Sequence, residues 1–112
     1  MYTENQVNNI VGQISQFYRS VYGDKIVSIY LYGSYARGNY TEESDIDIIA
    51  IVRGDRMDLQ EKLKQIWDVS ADIGLENDVV VSPTVIPYAE YEAYKEILPY
   101  YMNIQKEGKR IG

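Results

Sequence analysis

The sequence predicts an α/β (α+β) domain: a short mixed sheet flanked by helices. Three observations predict it. The first twenty-odd residues carry an apolar stripe at helical spacing. Two short β-rich runs follow, the second apolar on both faces beyond its first turn. A further helical pattern and a third β-rich run then complete the order helix, strand, strand, helix, strand, helix.

The elements are read in chain order. Val7, Ile10, Val11, Ile14, Phe17, Tyr18 and Val21 recur every three or four residues, as one face of an amphipathic helix requires. Asn, Thr and Glu at its start suit a first turn, and Gly23 suits its end. Ile26 to Tyr32 reads as a strand that stops at Gly33. Gly33 to Gly38 forms a sharp turn, with Gly33 opening a short helix, and Asn39 to Glu43 forms a polar loop. Asp45 to Val52 is a second strand, and its two-sided apolar character places it in the middle of a covered sheet. Leu59, Leu63, Ile66, Trp67 and Ile73 mark a second helix, which Gly74 is expected to end. Asp78 to Val81 opens a third strand that resumes after Pro83, and Pro83 and Pro87 make it an edge strand or a broken one. A last helix is expected from about Tyr88 to Leu98, where Pro99 interrupts it, followed by a polar tail from Asn103. Whether Gly108 to Gly112 is a free tail or a contact arm is open. No repeat or linker divides the chain, so residues 1–112 are read as one domain.

Composition narrows the chemistry. The chain has no cysteine and no histidine, so disulfides, thiolate metal sites and imidazole catalysis are excluded. Carboxylates, hydroxyls, Lys and Arg remain. No apolar run is long enough to span a bilayer, and Met1 to Gln6 is polar and unlike a secretory signal, so a cytoplasmic location without membrane attachment is expected. The net charge is −6, which disfavours a long nucleic acid as direct substrate and favours a protein or small-molecule acceptor. The 12 tyrosines are read mainly as rings covering the sheet and helix edges, with a tyrosine-rich partner surface as the second reading.

The chemistry-bearing segment lies between Gly33 and Asp47. It reads Gly33-Ser34-Tyr35-Ala36-Arg37-Gly38, five residues, then Ser44-Asp45-Ile46-Asp47. Glycine after a strand lets backbone approach a ligand, the N–H groups of a helix start bind phosphate, and Ser34 adds a hydroxyl. Arg37, one turn on, can reach phosphate oxygens. Asp45 and Asp47, one residue apart on a strand, share a face and repel each other unless a cation bridges them. Oxygen-only ligands suit Mg²⁺, which also binds substrate phosphates. A phosphate-binding turn beside a carboxylate pair is the equipment for phosphoryl or nucleotidyl transfer. A lone Gly-Ser is usually a plain turn and a lone Asp-x-Asp a solvated strand edge. Their succession in this order, with an apolar strand after the second Asp, is what distinguishes the segment.

Gly33-Ser34-x-Ala36-Arg37-Gly38-x5-Ser44-Asp45-x-Asp47 resembles the signature of the DNA polymerase beta-like nucleotidyltransferase superfamily, and more narrowly that of the minimal nucleotidyltransferases. The resemblance spans nearly the whole chain and implies that superfamily's fold. It implies that Gly33 and Ser34 hold the nucleoside triphosphate, that Asp45 and Asp47 bind Mg²⁺, and that Arg37 and Ser44 support the motif and the phosphates. The family's third carboxylate lies on the following strand. Asp78 is the candidate as metal ligand and base, with Glu76 and Asp72 as competitors.

Family members of this size are commonly antitoxins of HEPN/MNT toxin–antitoxin systems. The resemblance therefore implies transfer of AMP from ATP onto a tyrosine of a helical HEPN-type ribonuclease toxin, in a hetero-oligomer. Two other readings stand beside it: an antitoxin of the same fold that neutralises by binding alone, and a nucleotidyltransferase acting on a small molecule such as an antibiotic.

Overall fold

A computed structural model describes residues 4–41 and 43–112. The expectations placed on Met1 to Thr3 and on Glu42 lie outside the described residues. The elements are α1 (Glu4–Tyr22), a 3-10 turn (Gly23–Lys25), β1 (Ile26–Tyr32), α2 (Ser34–Arg37), β2 (Ile46–Val52), α3 (Arg56–Asn77), β3 (Val81–Pro87), α4 (Tyr88–Tyr94), α5 (Pro99–Glu107) and β4 (Lys109–Arg110). The strands form a mixed sheet of order β3-β2-β1-β4, with β2 antiparallel to β1 and parallel to β3.

The period-2 alternation of β2 sorts its side chains onto two layers. Ile46, Ile48, Ala50 and Val52 enter the larger core, beneath α1 residues such as Ile10, Ile14 and Tyr18 and α3 residues such as Leu59, Leu63 and Ile66. Ile49 and Ile51 enter the smaller core with Ile86 and with Tyr91, Tyr101 and Ile104 of α4 and α5. The two-sided apolar character of β2 thus reflects a central strand between two helical layers.

Tyr18 reaches from α1 into the seam between β2 and β3. Its hydroxyl accepts from Thr84 N–H at 3.0 Å and lies 3.2 Å from the Ile48 carbonyl and 2.9 Å from that of Thr84. Ile48 is paired with Pro83, which has no N–H to give the ladder, and the Tyr18 hydroxyl supplies bonds at that point. Burial pushes its pKa well up, so it stays protonated and able to donate.

Four boundaries differ from the sequence reading. Helix α3 does not end at Gly74 but runs to Asn77, and Gly74 serves packing instead. A Cβ there would stand 2.4 Å from the Val79 carbonyl oxygen, so only glycine lets the chain fold back against the helix. Asp78 does not head a strand. It caps α3 in the left-handed conformation (φ 54°, ψ 46°), its N–H and that of Val79 both donate to the Gly74 carbonyl, and the strand starts at Val81. Pro99 does more than interrupt the last helix: it takes the first position of a new one, α5, where its missing N–H costs nothing. The polar tail from Asn103 is ordered. It completes α5 and then pairs Lys109 and Arg110 with Leu31 and Tyr30 on the open edge of β1.

Candidate active site

Three features meet at one end of the sheet because of strand direction. β1 runs antiparallel to β2, so its C-terminal end lies beside the start of β2, and β3, parallel to β2, begins at that same end. The Gly33 turn, the Asp45/Asp47 pair and the start of β3 therefore stand in a row across the sheet.

Tyr32 pairs with Asp47 across β1 and β2, and the chain turns immediately afterwards at Gly33. Gly33 holds φ 78° and ψ −153°, a conformation essentially reserved for glycine. A Cβ on it would lie 2.8 Å from Asp47 Oδ2. The residue is thus glycine for two independent reasons, and both bring backbone against the carboxylate. Ser34 then opens α2, whose first N–H groups, as in any helix, lack an intrahelical acceptor. Ala36 and Arg37 N–H groups both return to the Gly33 carbonyl, which closes the turn. Tyr40 stacks on Tyr35 with ring centroids 4.3 Å apart and planes within 9°, pinning the following loop to α2.

Asp47 is half-buried on the α4/α5 side of β2, and Asp45 is exposed just before the strand. Burial, and after it the negative charge of Asp45, raises the Asp47 pKa from its ordinary value. Such a pair concentrates negative charge that a hard cation would relieve, and its donors are all oxygen. Among the described residues, however, no three acidic side chains come together as a metal-binding group. Asp78 does not join the pair as a third carboxylate of one cluster. It lines, with Asp45, Ser44 and Glu43, a groove of about 560 Å³ between the C-terminal half of α3 and the start of β3. Asp72 and Glu76 are exposed on α3.

The remaining sequence candidates divide. Ser44 fixes the loop before Asp45: its hydroxyl accepts from Thr41 N–H at 2.9 Å and its own N–H returns to the Thr41 carbonyl. Arg37 is exposed and lies 3.7 Å from Glu107 of α5. Tyr100 was not legible as a site residue. It packs edge-on to Tyr32 with centroids 5.9 Å apart, and burial, then Tyr32, then the charge of Asp47 raise its pKa. Its only sequence signal was a tyrosine just after Pro99.

A strand, a glycine turn into a short helix and a second strand that opens on two same-face carboxylates define the class of nucleotidyl-transferring folds. Residues 9–110 match the nucleotidyltransferase domain family, and the chain belongs to it. It is a nucleotidyltransferase by that membership. Similar chains include two proteins of Methanocaldococcus jannaschii. One is named "Putative protein adenylyltransferase MJ0141" and is 32% identical over 80 residues, 71% of this chain and 79% of that protein. The other is named "Putative protein adenylyltransferase MJ1379" and is 30% identical over 100 residues, 88% of this chain and 98% of that protein. The fold also matches a chain in a crystal structure of a toxin–antitoxin with AMP-PNP, with TM-score 0.51 and 20% identity over 97% of this chain and 72% of that one. A second match, to a chain of the toxin–antitoxin MntA-HpeT carrying D39ED41E, has TM-score 0.51 at 18% identity over 97% of this chain and 72% of that one. Among the described residues, no helix is long and apolar enough to cross a membrane.

Proposed function

We propose that this chain is an Mg²⁺-dependent adenylyltransferase that moves AMP from ATP onto a tyrosine of a partner protein, a helical HEPN-type ribonuclease toxin, and so acts as its antitoxin. The observation that carries the reading is the contact of the Gly33 turn with Asp47: a phosphate-binding turn and a same-face carboxylate pair in direct apposition. The relatives named as protein adenylyltransferases and the toxin–antitoxin chains of the same fold support it.

In this reading Gly33 and Ser34 cradle the β- and γ-phosphates through backbone N–H groups and the Ser34 hydroxyl. Asp45 and Asp47 would hold Mg²⁺, which when bound supplies charge neutralisation at the phosphates. Asp78, which lines the same groove as Asp45, would take the proton of the incoming hydroxyl. The tyrosine oxygen forms a bond to the α-phosphorus, the bond from the α-phosphorus to the bridging oxygen breaks, and pyrophosphate leaves with that oxygen's electron pair. Ser44 contributes by holding Asp45 in place rather than by touching substrate. Arg37, ion-paired to Glu107, would contribute to phosphate binding only by leaving that pair.

The test is intact-mass spectrometry of the adjacent gene's helical protein after incubation with this chain, ATP and Mg²⁺, beside the D45N/D47N variant. A gain of whole AMP units that is lost with the variant supports the reading. A stable complex with neutralised toxin and no mass change contradicts it and supports binding-only neutralisation.

A further inference from the structure

The groove beside Asp45 has walls that the phosphate and cation contacts proposed above do not use. Its floor and walls are apolar, built from Trp67, Ala71, Gly74 and Leu75 of α3 and from Val79 to Val81. Three of these side chains are more open to solvent than packing would leave them: Trp67 is 47% exposed, Val80 58% and Leu75 83%. Ser70 also lines the groove, and its buried hydroxyl has no hydrogen-bond partner among the described residues.

The charge around this groove has one sign. From Trp67 to Asp78 the chain carries Asp68, Asp72, Glu76 and Asp78 and no Lys or Arg. Helices normally place cations in the last turn to meet the negative end of the macrodipole, and α3 has none there. Glu43 adds one more carboxylate on the opposite lip, next to Asp45. A triphosphate would be repelled here, whereas a cationic segment would be attracted by the acidic residues and the uncompensated helix end together.

Position gives the groove its meaning. The Gly33 turn lies on the β1 side of Asp47, and the groove lies on the β3 side of Asp45. The turn thus touches one member of the carboxylate pair, Asp47, and the groove borders the other, Asp45.

We infer that this groove docks the acceptor: a cationic, apolar segment of the partner protein, whose aliphatic side chains rest on Trp67, Leu75 and Val80 and whose Lys or Arg residues meet the end of α3. The inference rests on the proposal that the acceptor is a protein. It adds the surface on which that protein is held and the chemistry of the segment held there.

Trp67 is the one tryptophan of the chain and reports on the groove directly. The whole chain is titrated with three short tyrosine-centred peptides whose flanks alternate Leu with Arg, Glu or Ser, and Trp67 emission is followed. Saturable quenching or a blue shift with the Arg peptide alone is expected, weakened about tenfold by L75K/E76K and by raised salt. No response to the Arg peptide, or the same response to all three, overturns the inference. A response to ATP alone also overturns it and makes the groove a base pocket. AMP transfer to the partner protein separates the two levels. Wild-type transfer that L75K/E76K leaves with an unchanged KM for the acceptor overturns the docking site while the transferase reading stands. Peptide binding with no transfer to any protein sinks the transferase reading and leaves the docking surface.

Discussion

The missing side chain of Gly33 and the carboxylate of Asp47 occupy the same space: a Cβ on the glycine would stand 2.8 Å from Asp47 Oδ2. The turn proposed to receive phosphate and the carboxylate proposed to receive the cation are therefore built as one contact. Gly33→Ala must strain a φ of 78° and displace Asp47 together. The expected result is a loss of about 1–3 kcal/mol in stability and a fall in transfer of roughly a hundredfold. Denaturant melts and single-turnover rates measure the two. A variant with full activity would show that the contact is dispensable.

The carboxylate pair is expected to cost stability when no cation is bound. The pKa of Asp47 is raised by burial and by Asp45, so its ionised form is less favourable folded than unfolded. The penalty is absent below the ordinary Asp range, grows as pH rises through the raised value, and is complete at neutral pH. Asp47→Asn should therefore melt higher than the parent at neutral pH without divalent cations. That advantage should vanish in acid, and Mg²⁺ should raise the melting temperature of the parent alone. Thermal melts across pH, with and without Mg²⁺, check this, and a variant less stable at neutral pH would refute it.

Tyr18→Phe removes the hydroxyl that bonds Thr84 N–H and the Ile48 and Thr84 carbonyls inside the sheet. The ring still fills its place, but buried backbone groups lose their partner. A destabilisation of about 1–3 kcal/mol is expected, with amide exchange at Thr84 accelerated more than elsewhere. Unchanged exchange at Thr84 would contradict the bridging role.

Glu90 ties the start of α3 to α4 and α5. It accepts two hydrogen bonds from Arg56 and one, at 2.7 Å, from the Tyr101 hydroxyl. The Arg56 bonds, then the Tyr101 bond, lower its pKa, while burial and the Glu90 contact push Tyr101 up to about 12. A depressed carboxylate pKa stabilises the fold above the ordinary Glu range, and that gain is lost as pH falls through the depressed value. Glu90→Gln should cost about 1 kcal/mol at neutral pH and nothing in strong acid. Paired urea melts at the two pH values measure the difference.

The legible parts of the structure were those written locally. The apolar stripe of α1, the two-sided β2, the edge position forced on β3 by its prolines and the Gly-Ser/Asp-x-Asp succession each follow from spacing within one segment. What failed needed a distant partner. Asp78 looked like the head of a strand because valines follow it. The Val79 carbonyl against Gly74 decides otherwise, and no local pattern records that approach. The polar tail left a free end and a contact arm equally open, and the pairing of Lys109 and Arg110 with the open edge of β1 decides between them. Tyr100 comes near Asp47 only because α5 folds over the sheet. Pro99 was misread locally, since proline also suits the first position of a helix.

The central claim is that this carboxylate pair transfers a nucleotidyl group. The direct measurement offers the chain, Mg²⁺ and the partner protein ATP labelled on either the α- or the γ-phosphorus. The account predicts protein-bound label from the α position only, with one pyrophosphate released per AMP bound and neither product from D45N/D47N. Label from the γ position, or α label that survives in the variant, would contradict it.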